Sequence, residues 1–252
     1  MTEHLFSLAG RRVIVTGGTR GIGRAISLHF ARAGAHVIAN YHADDAAAES
    51  LRKELDANGL SVTTCRADVA SPEGRARLLE DAGVETLSAL VHCAATGVHR
   101  TLPELTGRHW DFTFALNVRA LFELVKAVLP RLASGSSIIG LSSAGAVQAF
   151  PHYSVVGASK GALEALCRHM AVELAPNGIR VNVLSAGTVV TQALDAFPDR
   201  EAQIADAIAR SPRRRLTTAD EVAHVAHFLC CDASSGVSGH TLVVDGGQRV
   251  RG

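Results

Sequence analysis

The amino-acid sequence predicts an α/β fold, a single doubly wound domain of about seven parallel strands flanked by helices, and three observations carry that reading. Short apolar, β-branched runs alternate with longer amphipathic stretches along the 252 residues, the pattern of βαβ units. The strand runs are continuously apolar, as suits strands covered by helices on both faces. Gly34, Gly59 and Gly178 each follow a helical pattern closely, where a left-handed residue ends a helix.

The first strand, Val13 to Thr16, runs into a glycine-rich turn, Thr16 to Gly23, that opens a helix pattern at Ile22 to Ala33. A second strand, His36 to Asn40, leads to the amphipathic stretch Asp44 to Asn58, and a third, Ser61 to Arg66, leads to Pro72 to Ala82. Ala89 to Cys93 forms the fourth strand and Arg108 to Leu132 the fourth helix pattern. Ser137 to Leu141, Tyr153 to Leu174 and Arg180 to Leu184 supply a strand, a helix and a further strand. Ala219 to Cys231 is the last helix and Thr241 to Val244 the last strand. The least regular piece, Thr188 to Pro212, has the length of a lid over a site rather than of a domain boundary.

With 47% hydrophobic and 19% charged residues the chain can bury one substantial core, and a formal charge of +1 argues against nucleic acid as a partner. The run Arg213 to Arg215 is too short to alter that; it reads as a solvated loop, with docking of an acidic carrier protein as the alternative. No segment approaches the ~20 apolar residues that cross a bilayer, and the N-terminus carries no signal-type apolar stretch, so a soluble, cytoplasmic protein is expected. Five cysteines, Cys65, Cys93, Cys167, Cys230 and Cys231, lack C-x-x-C spacing and read as reduced, mostly buried thiols. Twelve scattered histidines suggest no metal site.

In the turn, Gly17 permits the tight bend, Gly21 lets the backbone approach a pyrophosphate and Gly23 lets helix and strand pack closely, with the helix N-terminus facing the anion. These are the requirements of a dinucleotide site. The second strand ends Asn40-Tyr41-His42, without the Asp or Glu that holds ribose hydroxyls in NAD enzymes. Arg20, helped by His42, is placed instead for a 2′-phosphate, which favours NADPH. Asp68-Val69, just past the third strand, is placed to bind adenine, unless Asp68 simply caps a helix.

The fifth strand ends in Leu141-Ser142-Ser143, the next helix carries Tyr153 and Lys160, and Asn117 lies within the fourth helix pattern. A phenol of pKa about 10 needs a neighbouring cation before it serves as an acid or base near neutral pH. Together with Thr16 to Gly23 and Asp245-Gly246-Gly247, these residues make the chain resemble the short-chain dehydrogenase/reductase family over essentially its whole length. The resemblance implies a Rossmann domain in which Tyr153 is the proton donor and Lys160 binds the nicotinamide ribose and lowers the phenol pKa. It further implies that Ser143 orients the substrate oxygen and that Asn117 holds a relay water. Thr19, Ile22, Ala94, Gly187 and Val189 join Asn40 among the expected cofactor contacts, and a homotetramer built through the fourth and fifth helices is implied as well.

Val156 stands where the common Y-x-x-x-K spacing puts the tyrosine, and Tyr153 lies seven residues before Lys160. Offsets of four and seven return to nearly the same helix face, at roughly +40° and −20°, so the phenol moves about 4.5 Å toward the helix N-terminus. A donor displaced by one turn suits an enoyl thioester, whose oxygen lies two carbons beyond the carbon that receives hydride. The Tyr153-x6-Lys160 spacing resembles the branch typified by enoyl-[acyl-carrier-protein] reductase III, an NADPH enzyme of bacterial fatty-acid synthesis. Ala94 to Val98, Tyr153 to Leu174 and Ala193 to Pro198 carry the same likeness. Two stretches depart from the family: His92-Cys93 replaces Asn-Asn, and Ala186-Gly187 replaces Pro-Gly.

Ala95, Phe150, Leu194 and Phe197 are candidates to line an acyl pocket. His152 either joins proton transfer or is an exposed helix-start residue, and Trp110, Phe112 and Phe114 are core or subunit-contact residues. Three readings stay open: an NADPH-dependent reductase of enoyl thioesters carried on CoA or acyl carrier protein, an NADPH-dependent ketoreductase of secondary metabolism, and a catalytically silent NADPH-binding or sensor protein.

Overall fold

The computed structural model describes residues 3–83, 86–196 and 200–250. Its first strand, β1 (Arg12–Thr16), divides the core in two, because successive side chains of a strand point to opposite faces. Val13 and Val15 join Ile26, Phe30, Leu51, Val222 and Leu229 on one face, while Ile14 joins Leu90, Leu121, Leu124, Ile138 and Leu163 on the other. Six further strands complete a wholly parallel sheet: β2 (His36–Tyr41), β3 (Val62–Arg66), β4 (Leu87–His92), β5 (Leu132–Ser143), β6 (Arg180–Ala186) and β7 (Thr241–Val244). Their order is β3-β2-β1-β4-β5-β6-β7, so the winding reverses between β1 and β4. Ligands of such sheets bind at that reversal, beyond the carboxyl ends of the strands.

The helices α1 (Gly21–Arg32), α2 (Asp45–Asp56) and α3 (Pro72–Ala82) follow the first three strands as the periodicity predicts. The fourth pattern is not one helix. It divides into α4 (Gly107–Phe114), a π-helical stretch Ala115–Arg119 and α5 (Ala120–Val128). A 3-10 turn, Leu129–Arg131, carries Pro130 and ends the helical run, so Leu132 begins β5 rather than closing a helix. That strand extends past both ends of the expected Ser137 to Leu141, and its register with β4 shifts between Leu87 and Ala89. The long helix α6 (Ser154–Leu174) and the last, α8 (Ala219–Cys230), match the sequence reading. The expected irregular lid contains a 3-10 turn, Gln192–Ala196, and a helix, α7 (Arg200–Arg210). Among its described residues α7 buries Ala207, too weak an apolar stripe to register as a helical period.

Gly34, Gly59 and Gly178 all lie at positive φ, as their places after helices require. The cysteines are free, Cys93 alone being partly exposed. Arg213 and Arg215 are not merely solvated: both pair with Glu221, the N3 residue of the Thr218 capping box that starts α8. No helix among the described residues is long and apolar enough to cross a membrane.

At the carboxyl end of β4 the unexpected His92 is fully buried and ties three elements together. Its Nε2 faces the Leu116 carbonyl of the π-helical stretch at 3.1 Å, and its Nδ1 lies 3.0 Å from Thr16 Oγ1. A carbonyl only accepts, so Nε2 carries the proton, Nδ1 accepts from the Thr16 hydroxyl, and that oxygen in turn accepts the Ala94 amide at 3.1 Å. Burial pushes the imidazole down to about 4. Between its unfolded value of about 6.5 and 4, the unfolded chain binds a proton that the folded chain refuses, so stability falls as pH falls, by at most about 3 kcal/mol. His92→Asn is expected to flatten this acid slope, measured by urea unfolding at neutral pH and near pH 4.5; an unchanged slope would place the acid sensitivity elsewhere.

Candidate active site

The glycine turn is folded tightly onto α1. A Cβ on Gly23 would stand 2.1 Å from the Gly17 carbonyl oxygen, and Gly17 itself has φ +63°. Ser27 Oγ donates to the Gly18 carbonyl at 2.9 Å and the Gly18 amide donates to the Asn40 carbonyl at 2.9 Å, which fixes the turn against β2. Helices α2, α3, α4 and α8 begin with Asp44, Ser71, Thr106 and Thr218, each accepting a first-turn amide. Helix α1 begins with Arg20, whose side chain has no acceptor to offer, so its first amides stay available to an anion. Thr19 is buried, Ile22 packs against the core, and Gly21 lies against the Thr191 side chain of the lid, 3.1 Å from where its Cβ would be.

At the end of β2 the structure separates residues that the sequence grouped. The buried Asn40 amide donates to the Cys65 and Ala67 carbonyls, so this side chain stitches β2 to β3. His42 is exposed. Arg20 reaches between the two sides of the site, with Nη1 3.5 Å from Asp44 Oδ2 and 3.2 Å from Gln192 Oε1 of the lid. A carboxylate therefore does face this corner, although none stands at 40–42: it is Asp44, the N-cap of α2. Asp68, just past β3, accepts the Ala70 amide through one carboxylate oxygen, and Val69 is buried.

Tyr153 and Lys160 each contact the end of β5. Ser143 Oγ and Tyr153 Oη are 3.2 Å apart, and Lys160 Nζ donates to the Leu141 carbonyl at 2.8 Å. Tyr153 is the N-cap of α6, with φ −119° and ψ 7°, not a residue of its first turn, so the expected helical rotation does not apply to it. Its position is set by contact. A Cβ on Gly145 would lie 2.2 Å from the Tyr153 ring, while the rings of His99 and Phe150 flank it at centroid distances of 5.6 and 6.1 Å. His152 before it has φ +60°, a left-handed conformation uncommon outside glycine. Burial raises the Tyr153 pKa, opposed by the hydrogen bond to Ser143, and burial lowers Lys160 to about 8.

Val156, in the position that a tyrosine more commonly takes, is buried, and its Cγ2 would be 2.2 Å from a Cβ on Gly97. The loop after β4 thus closes onto the valine, and no side chain at residue 97 fits beneath it. Asn117 holds the same loop: it accepts the Thr96 amide and donates to the Thr96 carbonyl and to Ser159 Oγ, each at 2.9 Å. Gly97, Gly145 and His99 were missed in the sequence because nothing about their local spacing marks a contact made across the fold.

Ala94 and Ala95 border the site, the latter exposed. Gly187 donates to the Val244 carbonyl at 2.9 Å and passes so close to Asp245 that its Cβ would be 2.8 Å away. The chain leaving β6 is thereby steered by the Asp245-Gly246-Gly247 turn without the family's proline. Val189 and Leu194 are buried, and Phe197 lies outside the described residues. Phe150 receives the Arg210 guanidinium of α7 at 5.8 Å from its ring centroid, which brings the lid helix to the pocket wall.

A model of the enoyl-(acyl carrier protein) reductase family matches residues 17–249. The chain is 34% identical to 1-cyclohexenylcarbonyl-CoA reductase of Streptomyces collinus, over 99% of its own length and 91% of the relative's. It superposes with a TM-score of 0.88 on a short chain dehydrogenase of Burkholderia cenocepacia in complex with NADP, at 31% identity over 96% and 99% of the two chains. The angucycline C-6 ketoreductase LanV with bound NADP is similar too, with a TM-score of 0.89 at 28% identity over 97% of each chain. Placed beside the seven-stranded sheet and the Ser143, Tyr153 and Lys160 cluster, these likenesses make the chain a member of the short-chain dehydrogenase/reductase family, and an oxidoreductase.

Proposed function

We propose that the protein reduces the conjugated double bond of enoyl thioesters with NADPH. The observation that carries this reading is the position of Tyr153: from the N-cap of α6 its hydroxyl sits beside Ser143 Oγ, while a valine three residues on fills the usual tyrosine place. The residues present fit a dinucleotide, through the uncapped start of α1, the closeness that Gly23 alone permits, and Arg20 at the end of the turn. When bound, NADPH supplies hydride, here to the β-carbon of the substrate. Tyr153 and Ser143 would donate hydrogen bonds to the thioester oxygen and stabilise the enolate, with Tyr153 in the neutral form that burial favours, and the enolate would take a proton from solvent at its α-carbon to give the saturated thioester. Lys160 holds the ribose from the floor of the site, and Asn117 keeps the Thr96 loop in place. Ala95, Phe150, Leu194 and Phe197 are the proposed acyl contacts. Similarity to a reductase of an acyl-CoA favours CoA over acyl carrier protein as the carrier.

Tyr153→Phe is expected to lower kcat with crotonyl-CoA by about 100-fold or more while leaving NADPH affinity within about twofold. Unchanged turnover would sink the role given to Tyr153. A second reading, a ketoreductase, draws on the similarity to LanV and on the fact that a Ser143 and Tyr153 pair also serves a ketone oxygen. Enoyl thioesters lose their conjugated absorbance on reduction, so parallel assays with ketones separate the two.

Arg20→Ala is expected to raise KM for NADPH about tenfold or more and to leave KM for NADH unchanged, since a guanidinium recognises a phosphate by paired hydrogen bonds. Equal effects on both cofactors would assign Arg20 to the lid contact with Gln192 instead. We also assign the exposed Trp110, Phe112 and Phe122 on α4 and α5 to the subunit contacts of a homotetramer. Light scattering is expected to give a mass near four times 26.4 kDa; a monomeric mass would overturn that assignment.

A further inference from the structure

The last three residues of β5 each hold a different polar residue of the α6 region. Ser143 Oγ lies against the Tyr153 hydroxyl, the Leu141 carbonyl accepts from Lys160 Nζ, and between them Ser142 Oγ donates to Glu164 Oε1 at 2.6 Å. The first two belong to the reaction already described. The third is a buried carboxyl group one helical turn beyond Lys160, on the same covered face of α6, with 6% exposure against 7% for the lysine. An acid in such a place is destabilising unless hydrogen bonds and a counter-charge compensate it.

The groups around Lys160 act on it in opposite senses. Cys93 faces it from the loop after β4, but burial pushes that thiol up to about 12, so it is neutral. His92, from β4, also faces the lysine and is neutral at ordinary pH because burial brings it to about 4. Glu164 is the remaining acidic group that favours the charged lysine among the described residues, against a burial that favours the neutral amine. Glu164 itself is faced by Ser142 from β5 and by the neutral Cys167, whose thiol is raised to about 12, from its own helix.

We propose that Glu164, seated by Ser142, is a positioning residue that keeps the Lys160 ammonium charged and in place against the Leu141 carbonyl. It acts through Lys160 and touches neither substrate nor cofactor. The proposal rests on the reading of Lys160 and Tyr153 as the working pair of a reductase. Lys160 in its charged form binds the ribose; loss of the acidic side chain makes the amine surrender its proton at lower pH.

Glu164→Gln preserves the shape and an oxygen for Ser142 while removing the charge. With crotonyl-CoA, or with whichever ketone the wild type reduces, the basic limb of its kcat/KM profile is expected to move to lower pH by about one unit or more, a tenfold loss at alkaline pH that shrinks toward about pH 6. Glu164→Asp should recover part of the alkaline rate. Equal loss at every pH, or a profile that superposes on the wild type, would overturn the proposal. If the wild type turns over neither class of substrate, the reading of the reaction fails by itself, and the same variants are compared by NADPH fluorescence titration across pH. Weakening that sets in at lower pH for Glu164→Gln then supports the proposal, and coincident binding curves overturn it.

Discussion

Lys160 reaches the Leu141 carbonyl only because α6 lies unusually close to the end of β5, and the site depends on that approach. A Cβ on Gly140 would stand 2.9 Å from Leu163 Cδ2 and 3.0 Å from Cys167 Sγ, and one on Gly157 would stand 2.7 Å from the Gly145 carbonyl oxygen. Larger residues in this seam would lift the helix from the sheet. Tyr153, Lys160 and Glu164 would then lose Ser143, Leu141 and Ser142 together, because one strand end supplies all three contacts. The rigidity that the chemistry requires is thus a packing property of small residues. It does not come from hydrogen bonds, which follow once the backbones are this close.

That distinction explains how much was legible in the sequence. The strands were readable because β1 and its neighbours are buried on both faces and therefore continuously apolar, and the helix ends were readable because Gly34, Gly59 and Gly178 need positive φ. The glycine turn, Ser143, Tyr153 and Lys160 were readable because local spacing constrains them. Contacts across the fold left no such trace. Nothing around His92 announces that it spans Thr16 and Leu116, and Gly97 shows its reason only when Val156 stands over it. The π-helical stretch was hidden because one extra residue in a turn hardly disturbs a hydrophobic period, and α7 was hidden because alanine carries most of its apolar face.

The cofactor corner shows the same limit in electrostatic form. Absence of an acid at 40–42 was read as room for a phosphate, yet Asp44 stands 3.5 Å from Arg20. The pair is largely exposed, and such pairs contribute about 0–1 kcal/mol, so in the proposed role Arg20 would leave Asp44 for a dianionic phosphate at little cost. Its contact with Gln192 also gives the lid a direct link to the phosphate end of the site. Occupancy of one end would then be felt by the segment that covers the other.

Burial acts in opposite senses on the two groups at the centre. It raises the Tyr153 pKa, which keeps a proton on the phenol, and lowers Lys160 to about 8, which threatens the charge that the phenol needs nearby. A reductase requires the first effect and must resist the second. Hydrogen bonding to Ser143 moderates the tyrosine, and Glu164, held by the neighbouring Ser142 of β5, moderates the lysine. Displacing the tyrosine to the N-cap keeps it within reach of Ser143 while Val156 and Gly97 close the space it vacates. The proposed enoyl reading draws on this displacement, because the oxygen and the hydride acceptor of an enoyl thioester are not the two ends of one bond.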